Sequence, residues 1–459
     1  MMKSHYKRAL VTLALLVSLA SLARAQQDSY APAPQPTAQA SPSPSPLVRP
    51  VLMPVGVPKP DDVLPAPLPT PEFLRQGVFV TTLDGKVVME QGADQAFNPA
   101  STLKLATALQ ALRTYGPTYR FTTVLWTTGA FDPKTGTVTG DLVVSGRDPS
   151  FHDEHAVALA REMNRLGVRT VTGDLIVSPG FTMNFNQSAL RSGERFYDTL
   201  DATRRPAAAQ RSWFDQCQLK NDRECLTGGQ PSVAVLGAVY VSPVPAGAQM
   251  LVTQRSSQLV DILKVLLCYS NNFMAERLGE GLGGAVGLQS FLVREIGLPA
   301  DEVRLASTSG LGVNRISPRS MMKVYVALRA ELAKHKLVPS DILPVAGIDP
   351  GTLHKRYTSY PSRGSVIAKT GTLIRTDGGA SALVGQMKTA RGETLLFVIF
   401  NMRGSFSRFR ESQDALVTML QNQRGGPAAF DYRPLTLTMR LADTEQSAMG
   451  ALSDEYEPK

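Results

Sequence analysis

Histidine is scarce in this 459-residue chain, and its five occurrences give little support to a metal-dependent function. Only His152 and His155 lie close together, and we expect them on a solvated loop or at the start of a helix. The sequence therefore predicts neither a metal site nor a cofactor.

Long apolar runs are also absent. The first 25 residues begin with basic side chains, continue with a short apolar run from Ala9 to about Ala20, and end at the small residues Ala23 and Ala25. This pattern predicts a removable secretory signal (residues 1–25) and export to the periplasm or cell envelope. An uncleaved anchor is the alternative, but the run is short for a membrane helix. After removal of the signal we expect no stable membrane span.

The chain lacks a lysine and arginine block interleaved with aromatic residues, which nucleic-acid binders show. Its formal net charge of +9 falls to about +5 without the predicted signal. Such mild basicity suits an anionic polymer, although solvated surface charge with no partner explains it equally well. We predict no nucleic-acid partner.

Cysteine occurs only three times. Cys217 and Cys225 are close enough in sequence to close a small surface loop, and an exported chain favours a disulfide between them. Cys268 lies in an apolar run without a neighbouring histidine or basic cluster. We expect it to be a buried small hydrophobe.

Composition divides the rest of the chain. Proline is so dense in residues 26–71 that we predict a disordered linker. Residues 72–119 read as two strands joined by an Asp84-Gly85 turn and followed by a helix. Residues 120–250 show short glycine-bounded strands, among them the similar "TGDLVVS" and "TGDLIVS", and suggest a β-rich module. Helices and antiparallel strands return in residues 251–430, and a C-terminal tail (431–459) follows.

A serine and a lysine open the apolar segment "NPASTLKLATALQALRTYG". Ser101 and Lys104 are three residues apart and so share one face of the predicted helix, which is apolar nearly all round and therefore buried. Burial disfavours the charged form of a lysine, so Lys104 can take the hydroxyl proton and make Ser101 a nucleophile. In isolation, a lysine that reaches water from an amphipathic helix is the commoner explanation.

Two further motifs follow. "YSNN" contains Ser270 and Asn272, and "AKTGTL" contains Lys369, Thr370 and Gly371. Ser-x-x-Lys, Ser-x-Asn and Lys-Thr-Gly in this order are the active-site elements of penicillin-binding proteins and serine β-lactamases. Each is weak alone, since the second fits a helix cap and the third a surface turn. Together they indicate one site.

Beyond these motifs, the chain resembles the class C low-molecular-mass penicillin-binding proteins, the D-alanyl-D-alanine carboxypeptidase/endopeptidase family. The resemblance runs from about Gly77 to about Arg424 and includes the blocks "GDLVVSGRDPSF", "YSNNFMAERL" and "SGLGVNRISPRSM". It implies an α/β (α+β) serine transpeptidase/β-lactamase-like domain with a β-rich domain inserted between the first and second motifs. The 169-residue separation of Ser101 and Ser270 independently supports an insertion. The insertion is shorter than is usual in the family.

The resemblance also implies the chemistry, which is hydrolysis of peptidoglycan stem peptides through an acyl-enzyme, with β-lactam antibiotics as covalent inhibitors. Ser101 would be the nucleophile and Lys104 its base. Ser270 would relay a proton to the leaving amine, and Asn272 would hold Lys104 and the substrate backbone.

The third motif would bind substrate. Lys369 and Thr370 suit a terminal carboxylate, and Gly371 lets a peptide lie close against the strand. The backbone N–H groups of Ser101 and Thr372 would form the oxyanion hole.

Two alternatives remain at this stage. A β-lactamase shares the three motifs, but a long insertion is foreign to its compact design. A non-catalytic penicillin-binding scaffold of the cell wall would have no need of a buried lysine beside a serine.

Overall fold

The computed structural model describes residues 75–448. The predicted signal peptide and proline-rich linker, residues 72–74 of the next segment, and residues 449–459 of the predicted tail lie outside the described residues.

A five-stranded antiparallel sheet organises the part of the chain that carries the three motifs. Numbered along the chain, its strands are β1 (Gln76–Thr82), β2 (Val87–Gln91), β12 (Val366–Leu373), β13 (Ala380–Lys388) and β14 (Thr394–Met402). Their spatial order is β12-β13-β14-β1-β2, and β1 and β2 form the hairpin that the Asp84-Gly85 turn predicts. Successive side chains of β14 enter opposite cores, because a strand alternates its faces and both faces are buried here.

Helices cover both faces of this sheet. One face packs against α1 (Lys104–Tyr115), α6 (Leu259–Tyr269), α7 (Asn272–Glu280), α8 (Gly284–Arg294) and α9 (Pro318–Lys334). Val417 and Leu420 of α10 (Phe406–Asn422) pack on the other face. Helix α1 lies in the middle of the larger core, and every residue from Lys104 to Leu112 is buried, as its nearly continuous apolar sequence predicts.

The segment between α1 and α6 has a hydrophobic core of its own. Its strands are β3 (Thr122–Thr127), β4 (Ala130–Asp132), β5 (Thr137–Thr139), β6 (Leu142–Gly146), β7 (Thr170–Val171), β8 (Leu175–Val177), β9 (Ala234–Val235), β10 (Val239–Val241) and β11 (Gln249–Arg255). The repeated "TGDL" segments become β6 and β8, which pair in parallel with Leu142 opposite Leu175. The similar sequences therefore form equivalent neighbouring strands.

The expectation of a β-rich insertion is wrong in its composition, because the segment also contains four helices. They are α2 (Asp153–Arg165), α3 (Ala189–Leu200), α4 (Ala207–Lys220) and α5 (Arg223–Thr227). Ala156, Leu159, Ala160 and Met163 are buried along α2 at helical spacing. The short glycine-bounded strands on either side obscured this periodicity.

The described part of the predicted C-terminal tail is folded. Helix α11 (Leu437–Ala442) packs against α6, and β15 (Glu445–Ala448) pairs antiparallel with β11. The insertion therefore has the six-stranded sheet β10-β8-β6-β3-β11-β15 beside the four-stranded sheet β4-β5-β7-β9. Arg120 donates to the Asp443 carboxylate at 2.7 Å. Residues 437–448 thus connect the insertion to α6, the helix that ends at the second motif.

Two of the three cysteines form a disulfide, and the third is a free thiol. Cys217 at the end of α4 and Cys225 in α5 are joined by a disulfide, with their Cα atoms 5.8 Å apart. Cys268 is buried and free, and burial raises the pKa of its thiol to about 12. Within residues 75–448, no helix combines the length and apolar character that crossing a membrane requires.

Candidate active site

The first motif begins in strained backbone. Ser101 lies in a single 3-10 turn, Ala100–Leu103, that runs directly into α1. Ala100 has φ +46°, a left-handed conformation that costs a residue with a Cβ roughly 1–3 kcal/mol. The Asn98 side-chain oxygen accepts from the Ala100 N–H at 3.0 Å and holds this turn. The strain therefore lies immediately before the serine.

Lys104 joins the first motif to the second. Its Nζ is fully buried and donates to Ser101 Oγ at 3.0 Å, to Asn272 Oδ1 at 2.7 Å and to the Ser309 carbonyl at 2.6 Å. All three acceptors are neutral. Burial lowers the pKa of Lys104 well below its ordinary value, and the nearby Lys369 lowers it further, while Glu276 acts in the opposite direction. In its neutral form the amine has two N–H donors and a lone pair, and the lone pair can accept the proton of the Ser101 hydroxyl.

The second motif occupies a break between two helices. Ser270 ends α6 with φ +58°, and the side chain of Asn271 caps α7 by accepting from the Met274 N–H at 3.0 Å. Asn271 thus caps the helix, a role for which the sequence also suited Ser270 and Asn272. The side chains of Ser270 and Asn272 are free to contact the two lysines.

The third motif brings a second buried lysine to the same place. Lys369 on β12 is fully buried, and its Nζ donates to Ser270 Oγ at 2.8 Å and to the Thr370 carbonyl at 2.7 Å. Burial lowers the pKa of Lys369 to about 7, and the Cys268 thiol opposes this shift. The Lys369 amine is therefore only partly protonated near neutral pH.

Strand β12 is an edge of the central sheet. The Ala368 N–H on its outer side donates to the Pro344 carbonyl at 3.3 Å. Since N–H groups alternate between the two sides of a strand, those of Thr370 and Thr372 face this same outer side. They are suitably oriented for a peptide or an oxyanion beside the strand.

Gly371 has a packing role that the sequence did not indicate. A Cβ at this position would lie 2.8 Å from the Pro99 carbonyl oxygen and 3.0 Å from the Ala100 Cβ. The missing side chain lets β12 approach the turn before Ser101. The expectation that Gly371 also lets a peptide lie close against the strand stays a prediction.

Three residues at the site lay outside the three motifs. The Ser309 carbonyl accepts from Lys104 Nζ, and Glu276 in turn accepts from the Ser309 N–H. Arg410 of α10 donates to Thr372 Oγ1 at 3.1 Å. Helical spacing could have revealed Glu276, because it follows Asn272 by one turn of α7. No local pattern marks Ser309 or Arg410.

The histidine pair forms part of a helix cap. His152, Glu154 and His155 offer ligand atoms within 4.8 Å of one another. His152 caps α2 and contacts the Ser150 carbonyl at 2.7 Å, its N–H donates to His155 Nδ1 at 2.9 Å, and Glu154 accepts from Ser212. The predicted helix start is present, but His155 is buried, so the expected solvated position is wrong for it.

A family model and several relatives match this chain. The model is that of the D-Ala-D-Ala carboxypeptidase 3 (S13) family, and it matches residues 69–203 and 228–423. The D-alanyl-D-alanine carboxypeptidase of Actinomadura sp. strain R39 is 27% identical and covers 76% of this chain and 82% of the relative. D-alanyl-D-alanine carboxypeptidase DacB of Haemophilus influenzae is 25% identical and covers 77% and 90%.

Solved structures show the same fold. The penicillin G-acylated predatory endopeptidase Bd3459 of Bdellovibrio bacteriovorus, in complex with its immunity protein, has a TM-score of 0.66 at 22% identity, covering 80% of this chain and 97% of that one. Penicillin-binding protein 4 of Haemophilus influenzae, complexed with a β-lactam, has a TM-score of 0.56 at 22% identity, covering 76% and 97%.

Proposed function

This chain belongs to the D-Ala-D-Ala carboxypeptidase 3 (S13) family, and from that membership we infer that it is a serine-type, penicillin-binding D-Ala-D-Ala carboxypeptidase. We propose that Ser101 is its nucleophile and Lys104 its general base. The observation that carries this assignment is the 3.0 Å contact between Lys104 Nζ and Ser101 Oγ, made by a fully buried amine whose acceptors are all neutral.

Acylation would proceed from the neutral lysine. Ser101 Oγ attacks the carbonyl carbon of the penultimate D-alanine and transfers its proton to Lys104 Nζ. The backbone N–H groups of Ser101 and Thr372 receive the developing negative charge. When the C–N bond breaks, Ser270 gives its proton to the leaving nitrogen. Ser270 then recovers a proton from the ammonium group of Lys104. The product is an ester on Ser101 and a released D-alanine.

The substrate carboxylate would bind beside β12. Lys369 supplies positive charge at the inner end of this site, and the hydroxyls of Thr370 and Thr372 supply donors along the strand. Arg410 adds a second positive charge next to Thr372. This arrangement supports selection of peptides that end in a free carboxylate.

Hydrolysis of the ester completes the cycle. Water attacks the ester carbonyl and gives one proton to the paired Lys104 and Ser270 acting as one base. The C–O bond to Ser101 then breaks, and that proton passes to Ser101 Oγ. A β-lactam forms the same ester, but its ring-opened leaving group stays attached to the acyl group. We expect it to clear slowly and to leave a covalent adduct on Ser101.

Endopeptidase activity is the second candidate, and the outer side of β12 favours it. The N–H groups of Thr370 and Thr372 on this side can bind an extended peptide. In a cross-link between two stem peptides, the leaving amine differs from D-alanine mainly in the part beyond the scissile bond. The fold neighbour Bd3459 is named an endopeptidase.

We also propose that the chain is exported to the periplasm or cell envelope. Its proposed substrate is a component of the cell wall, and the amino-terminal pattern is that of a secretory signal. The insertion between the first two motifs is proposed to form one side of the substrate cleft.

Labelling with fluorescent penicillin tests the nucleophile. Wild-type protein should form an adduct that maps to Ser101, and Ser101→Ala should form none. Incubation with a pentapeptide and with a cross-linked dimeric muropeptide then separates the two activities. Rapid release of the labelled drug with no cleavage of either peptide would indicate a β-lactamase. Stable labelling with no cleavage would indicate a non-catalytic scaffold.

A further inference from the structure

We propose that Glu276 is a positioning residue for the general base, holding the backbone turn that binds Lys104 and placing a negative charge near it. This inference rests on the proposed function, because it concerns the state of Lys104 during acylation. Glu276 lies on α7, one helical turn after Asn272, and contacts none of the proposed substrate-binding residues through a described hydrogen bond.

The carboxylate binds the turn with both oxygens. Glu276 Oε1 accepts from the Ser309 N–H at 2.9 Å, and Oε2 accepts from Thr308 Oγ1 at 2.8 Å and from the Thr308 N–H at 3.3 Å. Thr308 and Ser309 are both buried. Three bonds to two consecutive residues leave the turn little freedom to rotate.

Helix α1 holds the same turn from the other side. Thr107, three residues after Lys104, donates its hydroxyl to the Thr308 carbonyl at 2.6 Å. The peptide unit between Thr308 and Ser309 is therefore bound at its carbonyl by α1 and at its N–H by Glu276. The next carbonyl, that of Ser309, accepts from Lys104 Nζ at 2.6 Å.

Gly310 completes the turn in a conformation that glycine adopts without strain. Its φ is +89°, and a Cβ there would overlap the carbonyl oxygen of Ala100, the residue before the serine. The turn thus lies directly against the start of the catalytic segment. A displacement of the Ser309 carbonyl would change the direction in which Lys104 points toward Ser101.

Glu276 also acts on Lys104 through its charge. The ionisable groups that face Lys104 are Lys369 on β12, which lowers its pKa, and Glu276 on α7, which raises it. A base that is to accept a proton needs enough affinity for it in the transition state. The carboxylate therefore offsets part of the effect of burial and of the second lysine.

The pH dependence of penicillin acylation distinguishes this role from a merely structural one. The wild-type rate should fall on the acid side as Lys104 becomes protonated. Glu276→Gln keeps the size of the side chain but removes its charge, so the pKa of Lys104 should fall. The acid limb should then move to lower pH by at least about half a unit, and the plateau rate should drop about tenfold.

Two variants serve as controls. Glu280→Gln makes the same change one turn later on α7, where the side chain is exposed, and should leave the rate and the acid limb unchanged. Thr308→Val removes one bond to the carboxylate but keeps its charge. It should slow acylation several-fold without moving the acid limb, and it also tests the proposal if Glu276→Gln fails to fold.

The outcomes are distinct. An unmoved acid limb in a folded Glu276→Gln protein, with or without a slower plateau, would overturn the proposed electrostatic role. A wild-type rate in Thr308→Val would overturn the role of the turn. Absence of labelling in the wild type would instead refute the proposed function, and this inference with it.

Discussion

Two lysines in neighbouring helices are equally buried but have different partners. Lys264 on α6 donates to the Asp349 carboxylate at 2.7 Å and to two backbone carbonyls, and neither partner of this ion pair is exposed. Lys104 on α1 donates to three neutral oxygens and faces a second lysine. Burial is common to both sites, and a directly bonded carboxylate is the difference.

The comparison shows how one side chain serves two purposes. A buried ammonium that is paired with a carboxylate keeps its charge and holds segments together. A buried amine without such a partner loses much of its affinity for the proton and becomes available as a base. The distinction predicts which substitution damages activity and which damages stability.

Replacing Lys104 should have the largest effect. Lys104→Met keeps most of the side-chain volume but removes the amine, so penicillin acylation should slow by a factor of about 10²–10⁴. Stopped-flow or gel-based labelling would measure the rate, and circular dichroism would verify folding. Labelling at the wild-type rate at neutral pH would exclude Lys104 as the base.

Replacing Lys264 should chiefly reduce stability. Lys264→Met leaves the Asp349 carboxylate buried without its cation, at a cost of about 3–5 kcal/mol in the free energy of unfolding. The double variant Lys264→Met/Asp349→Asn should recover part of this loss, because it leaves no unpaired charge. Urea unfolding of the wild type, the single variants Lys264→Met and Asp349→Asn, and the double variant measures the coupling. A single variant as stable as the wild type would show that the ion pair has no structural role.

Lys369 lies between the two cases, because it is buried among neutral oxygens and yet is proposed to bind the substrate carboxylate. Its pKa of about 7 means that it is protonated below pH 7 and increasingly neutral above it. KM for a carboxylate-ended peptide should therefore rise as pH increases from 6 to 9. Lys369→Arg keeps its charge over this range and should flatten the rise. A KM that is independent of pH in the wild type would contradict this role.

Arg410 should show the smallest effect, because it is exposed. Arg410→Ala should raise KM for a carboxylate-ended peptide by about two- to fivefold and leave kcat unchanged, as expected for a weak, solvated charge contact. Arg408→Ala, on the same exposed turn of α10, is the matched control. Equal effects from both would indicate general electrostatics and no specific contact at Thr372.

Much of the site could be predicted because its motifs are local. Ser101 and Lys104 share a helix face, and Ser270 and Asn272 flank a helix start, so short-range spacing alone brings each pair together. Glu276 shares α7 with Asn272, but its function depends on a turn 32 residues away, and no pattern in the sequence marks that contact. The left-handed backbone of Ala100 was equally hidden, because alanine is not a residue that signals positive φ.

The fold could be predicted from the sequence to a similar extent. The Asp84-Gly85 turn between two strand-like segments predicted the first hairpin, and the repeated "TGDL" segments predicted two equivalent strands. The helices of the insertion and the pairing of β15 with β11 were missed. Short elements carry little periodicity, and β15 finds its partner almost 200 residues earlier in the chain.

By itself, the sequence showed two lysines in strongly apolar segments, "LKLATALQAL" and "VDILKVLLC", and it predicted burial of the helix that carries Lys104. The Ser-x-x-Lys spacing distinguished Lys104, but nothing local indicated what Lys264 would contact. Only the tertiary structure decided that Lys264 meets a carboxylate 85 residues away, whereas Lys104 meets an amide 168 residues away and a carbonyl 205 residues away. The role of a buried amine depends on these distant partners, because a directly bonded carboxylate makes Lys264 part of an ion pair, whereas Lys104 is bonded only to neutral oxygens and burial lowers its pKa.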